Sequence, residues 1–153
     1  NKAIYSKTTK MKLYFERELS AGASLIEEFK NFIEVETVAL DDYFQNQDIK
    51  IDLIKMDIQG AEYAALLGMT NLLSKKRIKY LIIEYTPYLL KKYGVDPNDL
   101  IELLKRKGFE VYEIDEDKYS INKINIKELN KKYTIENYQY TNLFCILKDN
   151  NKW

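Results

Sequence analysis

Five residues in the middle of the chain have types and spacings that chemistry can use: Lys55, Asp57, Gly60, Glu62 and Glu84. Asp57 closes the run IDLIKMD, residues 51–57, and Glu84 stands near the end of IKYLIIEY, residues 78–85. If the two runs are neighbouring parallel strands, both carboxylates emerge at the carboxyl edge of the sheet, where open α/β sheets hold their ligands. A carboxylate placed there can orient a substrate or take its proton. Gly60 lets the chain turn tightly and lets backbone approach a ligand. Glu62 falls in the first turn of the following helix, where the macrodipole favours negative charge. Lys55 lies two residues before Asp57, so the two share one side of the strand. An ammonium in an apolar strand needs a partner, because burying it unpaired is costly. Asp57, Glu62 or Glu84 can supply that partner. A plainer reading stands beside this one: Asp57 caps a turn, Glu62 satisfies a helix end, Glu84 is an edge charge and Lys55 belongs to a structural ion pair.

Composition narrows the chemistry further. The chain has no histidine, which removes Ser-His-Asp and Cys-His catalysis and the usual His-based zinc sites. Acid–base work is left to carboxylates, Lys or Tyr. Lys plus Arg equals Asp plus Glu at 24 each, so no net field draws in nucleic acid or an anionic membrane. The single cysteine, Cys145, sits in the apolar run LFCIL and reads as a buried thiol. Without an internal disulfide, a reducing, cytoplasmic setting is expected. No apolar run approaches the roughly 18 residues of a membrane span. Neither GxGxxG nor GxxxxGK[ST] occurs, so no glycine-rich phosphate or dinucleotide loop is present. Asp41 and Asp42 read mainly as helix caps, and Tyr138-Gln139-Tyr140 mainly as partly buried packing, with ligand stacking as the alternative.

The elements that must position these residues follow from periodicity. A strand or hairpin is expected over residues 1–19, with a polar turn at Ser6–Lys10. Ser24 and Glu27 have capping-box spacing, which predicts a short helix to about Lys30. FIEVETVAL predicts a strand over 32–38, and Asp41-Asp42 a polar helical turn through Phe44. Residues 59–76 have helical spacing, between the strands 51–57 and 78–85. Those strands do not alternate cleanly, as expected where helices cover both faces of a parallel sheet. Thr86-Pro87 and Asp96-Pro97 open two helices, ended by Gly94 and Gly108. Strands are expected at 109–115 and 140–148. Residues 116–139 predict a long loop with a short helix near 126–131, and the tail NNKW should fray. No domain boundary is evident, so residues 1–150 are expected to form one α/β domain.

Taken together, VETVALDDYF, IDLIKMDIQGAEYAALLGM and YLIIEY resemble the FkbM-type S-adenosylmethionine-dependent methyltransferases. The segment KMDIQGAE is similar to that family's K-x-D-x-x-G-x-E pattern, and the closing TNLFCIL to its final strand. The resemblance implies a partial class I methyltransferase (Rossmann-like) fold: a mostly parallel sheet with an antiparallel last strand. It corresponds to the later half of the catalytic domain, with the early strands and the main cofactor loop missing. It further implies S-adenosylmethionine as cofactor, Gly60 and Glu62 near it, and methyl transfer to a hydroxyl of a saccharide or secondary metabolite. Asp57 is expected first as the group that orients or deprotonates the acceptor, Glu84 second, and Lys55 as a stabiliser of developing charge.

Two other functions share these residues. One is a non-catalytic α/β interaction domain derived from a methyltransferase. The other is a carboxylate-based metal-dependent hydrolase, although the resemblance itself implies no metal. An incomplete sheet exposes an edge, so self-association through that edge is expected unless residues 1–38 cover it.

Overall fold

A computed structural model describes residues 1–16, 19–25 and 30–148. The chain builds two mixed sheets. The first takes β1 (Ala3–Ile4), β2 (Thr9–Glu16), β3 (Leu19–Ser24) and β4 (Asn31–Val38) in the order β1-β4-β2-β3. β1 and β2 do not pair with each other: β1 joins β4 in parallel and β2 joins it antiparallel. Ser24 ends β3 rather than capping a helix, and the rest of the helix expected from it lies outside the described residues, as does the tail.

The second sheet takes β5 (Ile51–Met56), β6 (Ile78–Tyr85), β7 (Phe109–Asp115), β8 (Ser120–Lys123) and β9 (Thr141–Leu147) in the order β5-β6-β9-β7-β8. β5 and β6 run parallel, and β9 lies antiparallel between β6 and β7. The expectation of a mostly parallel sheet is therefore corrected. Inserting the last strand between β6 and β7, and adding β8, leaves one parallel pairing and three antiparallel ones. β5 is an edge strand, and the first sheet does not extend it.

The helices are short: α1 (Leu40–Tyr43), α2 (Glu62–Leu67), α3 (Thr70–Ser74), α4 (Pro87–Lys92), α5 (Pro97–Arg106) and α6 (Ile126–Lys132). The single helix expected over 59–76 is two, separated at Gly68-Met69. Asp96 caps α5 as its spacing predicts, accepting a hydrogen bond from the Asn98 N–H at 2.9 Å. Thr86 precedes Pro87 at α4 but makes no capping bond.

Leu66, Met69, Leu73, Leu90, Leu100 and Leu104 bring the helices onto Leu81, Ile83, Leu143 and Cys145. Each such side chain contributes about 1.5–3 kcal/mol by leaving water. Burial alternates strictly along β9, and Tyr80, Ile82, Phe144 and Ile146 on its other face stay half-buried. Among the described residues, helices thus cover one face of this sheet, not both as the apolar strands suggested. Among the described residues, no helix is long and apolar enough to cross a membrane.

The N-terminal segment meets the helices of the second sheet closely at Gly68, the residue that ends α2. Its carbonyl accepts from the Asp41 N–H at 2.9 Å, and a Cβ added there would stand 2.1 Å from the Tyr5 carbonyl oxygen. Overpacking of this kind costs about 1–3 kcal/mol. Gly68→Ala should therefore lower stability by about 2 kcal/mol in urea unfolding. A change below about 0.5 kcal/mol, the size of an ordinary surface substitution, would refute this close approach.

Candidate functional site

The register of β5 and β6 pairs Met56 with Ile83, so Asp57, just past the end of β5, and Glu84, one residue before the end of β6, lie at the same rim. Strand periodicity puts Lys55, Asp57 and Glu84 on one face. Lys55 donates to Asp57 Oδ2 at 3.1 Å, and Gln59 Nε2 donates to Asp57 Oδ1 at 3.2 Å. Lys55 is not buried as its apolar strand suggested; its side chain is 57% exposed, because β5 is an edge. An ion pair this exposed adds little stability, and its effect is to hold the Asp57 carboxylate.

After Asp57 the chain reverses through Gln59 (φ 55°) and Gly60 (φ 95°). Positive φ is costly for glutamine and easy for glycine. The turn is locked by Glu62, which opens α2 and whose Oε1 accepts the Ile58 N–H at 2.9 Å. Glu62 is buried, and burial pushes its pKa up to about 7 against the opposing pull of the Ile58 N–H, with the Glu84 charge adding to the rise.

Gly60 packs inward. A Cβ there would lie 2.9 Å from both Leu89 Cβ and Tyr93 Cδ2, which leaves no room for a ligand on that side. Tyr93 also ties the first sheet to this turn, since its hydroxyl oxygen accepts the Leu25 N–H at 3.0 Å and lies 3.1 Å from Ser24 Oγ.

Glu84 differs from Asp57. Its Oε2 is buried and without a hydrogen-bond partner, as is the Thr86 hydroxyl two residues on. Burial, then the nearby Asp57 charge, raises its pKa; Thr86 and Lys55 act in the other direction, although the Thr86 geometry falls short of a formed hydrogen bond. Asp41 is elsewhere: its carboxylate accepts the N–H groups of Asn71 and Leu72 at 2.7 and 3.0 Å, so it caps α3. Asp42 accepts from the Thr8 hydroxyl.

Two cavities open near this rim. One, of about 520 Å³, lies between Asp57, Ile58 and Gln59 on one side and Ile4, Leu13 and Leu25 of the N-terminal segment on the other. Gly60 and Glu62 are not among its walls; they shape the turn that carries Asp57. The second cavity, of about 420 Å³, sits where β7 ends and β9 begins, with Asp115, Glu116, Asp117, Tyr138, Tyr140 and Asn142 in its walls. Of these, spacing singled out only the tyrosines, and mainly as packing; they are 64% and 58% exposed. Among the described residues, no group of three or more Cys, Asp or Glu is placed to hold a metal ion.

The family model described as the methyltransferase FkbM domain matches residues 3–111. No curated protein and no solved structure gave a match. The matched stretch takes in β1 to the start of β7, and with it every one of the five residues around the Asp57–Glu84 rim. The chain belongs to the FkbM methyltransferase family.

The Glu62 lock has a pH signature. A carboxyl whose pKa rises from 4.5 unfolded to about 7 folded stabilises the protein fully below pH 4.5, and that contribution is lost as pH rises through 7. The loss is on the order of 3 kcal/mol. Glu62→Gln, which keeps the acceptor for Ile58, should gain stability relative to the wild type as pH goes from 5 to 8. A stability difference that stays flat over this range would contradict the buried, protonated state.

Proposed function

We propose that this member of the FkbM methyltransferase family serves S-adenosylmethionine-dependent methyl transfer to a hydroxyl of a small acceptor, such as a saccharide or secondary metabolite, and that Glu84 is its general base. Family membership supports the methyl transfer. The single observation that supports the base is the buried, partnerless Glu84 Oε2. A carboxylate short of hydrogen bonds and beside a like charge holds a proton more strongly than usual, and that is what a base for a hydroxyl requires. Asp57, ranked first on spacing alone, has both oxygens engaged by Lys55 and Gln59. It fits better as a fixed negative charge that raises the proton affinity of Glu84 and orients the acceptor. Lys55 balances that charge from the solvent side, where it is also free to swing toward charge developing at the rim.

Base catalysis alone is a modest share of the work, typically 10²–10⁴-fold. Holding the acceptor oxygen in line contributes the larger part. The direct test is methyl transfer from labelled S-adenosylmethionine to a panel of hydroxylated acceptors. Glu84→Gln should lower kcat by roughly 10²–10⁴-fold with an unchanged circular-dichroism spectrum. Asp57→Asn should lower it by less. Wild-type turnover in Glu84→Gln would remove Glu84 from the reaction, and a larger loss in Asp57→Asn would restore Asp57 as the base.

A further inference from the structure

A threonine that stands just before a helix normally turns its hydroxyl onto the first turn and accepts one of the N–H groups left unpaired there. Thr86 holds that position ahead of Pro87 at α4, and it makes no such bond. Its side chain is only 5% exposed, and its Oγ1 is buried with no partner. Leaving a buried hydroxyl unpaired is costly, so its neighbours are the place to look for what it serves.

Another buried oxygen without a partner stands beside it, Glu84 Oε2. Thr86 follows Glu84 by two residues in extended backbone (φ −121°, ψ 93°), so the two side chains share a face. They are also complementary: the hydroxyl has a proton to give, and an ionised carboxylate can only accept. Staggered positions about χ1 let the hydroxyl turn toward Glu84 or away from it. Glu84 Oε1, by contrast, is not shut off from water.

The other groups around Glu84 leave it in need of that donor. Burial and the Asp57 charge favour its protonated form, and Glu62 of α2 adds a like charge. Lys55, the opposing cation, is already bonded to Asp57. β9 sets the neutral Asn142 opposite Glu84, and the Asn142 amide is given to Glu116. A base that holds its proton too firmly is of no use at neutral pH, and a hydrogen bond made only to the charged form offsets this.

We infer that Thr86 is a positioning residue for Glu84: its hydroxyl turns to donate to Oε2 whenever the carboxylate is ionised, which leaves Oε1 to receive the acceptor's proton at the rim. The catalytic meaning rests on the reading of Glu84 as the base; the hydrogen bond itself does not.

Carbon-detected NMR titration of Glu84 in the 153-residue chain, with neither cofactor nor acceptor present, tests the bond. Thr86→Val keeps the shape and removes the donor. The Glu84 midpoint should then rise by about one pH unit or more, the size of a hydrogen bond to a charged group. Thr86→Ser should return it to the wild-type value. In the wild type, the Thr86 methyl signal should shift with the Glu84 midpoint as the hydroxyl turns. A threonine that merely closes the end of α4 would behave otherwise, since Thr86→Val would then lower stability equally at pH 4 and pH 8. A donor to Glu84 is missed only at the higher pH, where Glu84 is ionised. An unmoved midpoint in Thr86→Val, no recovery in Thr86→Ser, an equal stability loss at both pH values, or a wild-type methyl signal indifferent to Glu84 would each overturn the assignment; the last needs no variant to fold. Methyl transfer plays no part in these readouts, so a failure here is distinguishable from a failure of the methyltransferase reading.

Discussion

Two strands that run the same way in fixed register bring the site together. Because Met56 pairs with Ile83, Asp57 and Glu84 stand at the same height along the two strands, and their negative charges share one rim. Like charges at short range disfavour each other's ionised form. The protein meets this unequally. Asp57 receives an ammonium and an amide, whereas Glu84 keeps a buried oxygen with nothing to bond. In the proposed reaction, that asymmetry makes Asp57 the charge holder and Glu84 the proton acceptor.

The asymmetry depends on the turn that follows Asp57. Gln59 and Gly60 both take positive φ, and the reversal is closed by a Glu62 carboxyl drawn wholly out of water. Gly60 and Tyr93 then press the turn against α4, and Tyr93 carries the connection on to Ser24 and Leu25 of the first sheet. In the family pattern, the glycine and second acid therefore act here as internal architecture. They fix the direction of Asp57 rather than reaching into the neighbouring cavity.

Much of this was legible in the sequence where local chemistry decides it. The strands carrying Asp57 and Glu84, the Asp96 cap and the short helix at Ile126–Lys132 follow from apolar runs, cap residues and proline placement. Long-range pairing was not legible. Nothing local says that β9 inserts between β6 and β7, so the sheet read as mostly parallel and β5 as central. Lys55 was consequently expected inside and stands outside. The same limit hid the second cavity: Asp115–Asp117 and Tyr138–Asn142 are more than twenty residues apart and meet only because β7 and β9 pair. The tyrosines read as packing because aromatic residues usually are; their exposure depends on what the fold leaves uncovered.

The central claim is that Asp57 raises the proton affinity of an unpaired Glu84. Carbon-detected NMR titration of the Glu84 side-chain carboxyl measures this directly, in the wild type and in Asp57→Asn. Glu84 should titrate above the ordinary value of 4.5 in the wild type and fall toward it when the neighbouring charge is removed. A Glu84 that titrates normally, or that is indifferent to the loss of the Asp57 charge, would contradict the account.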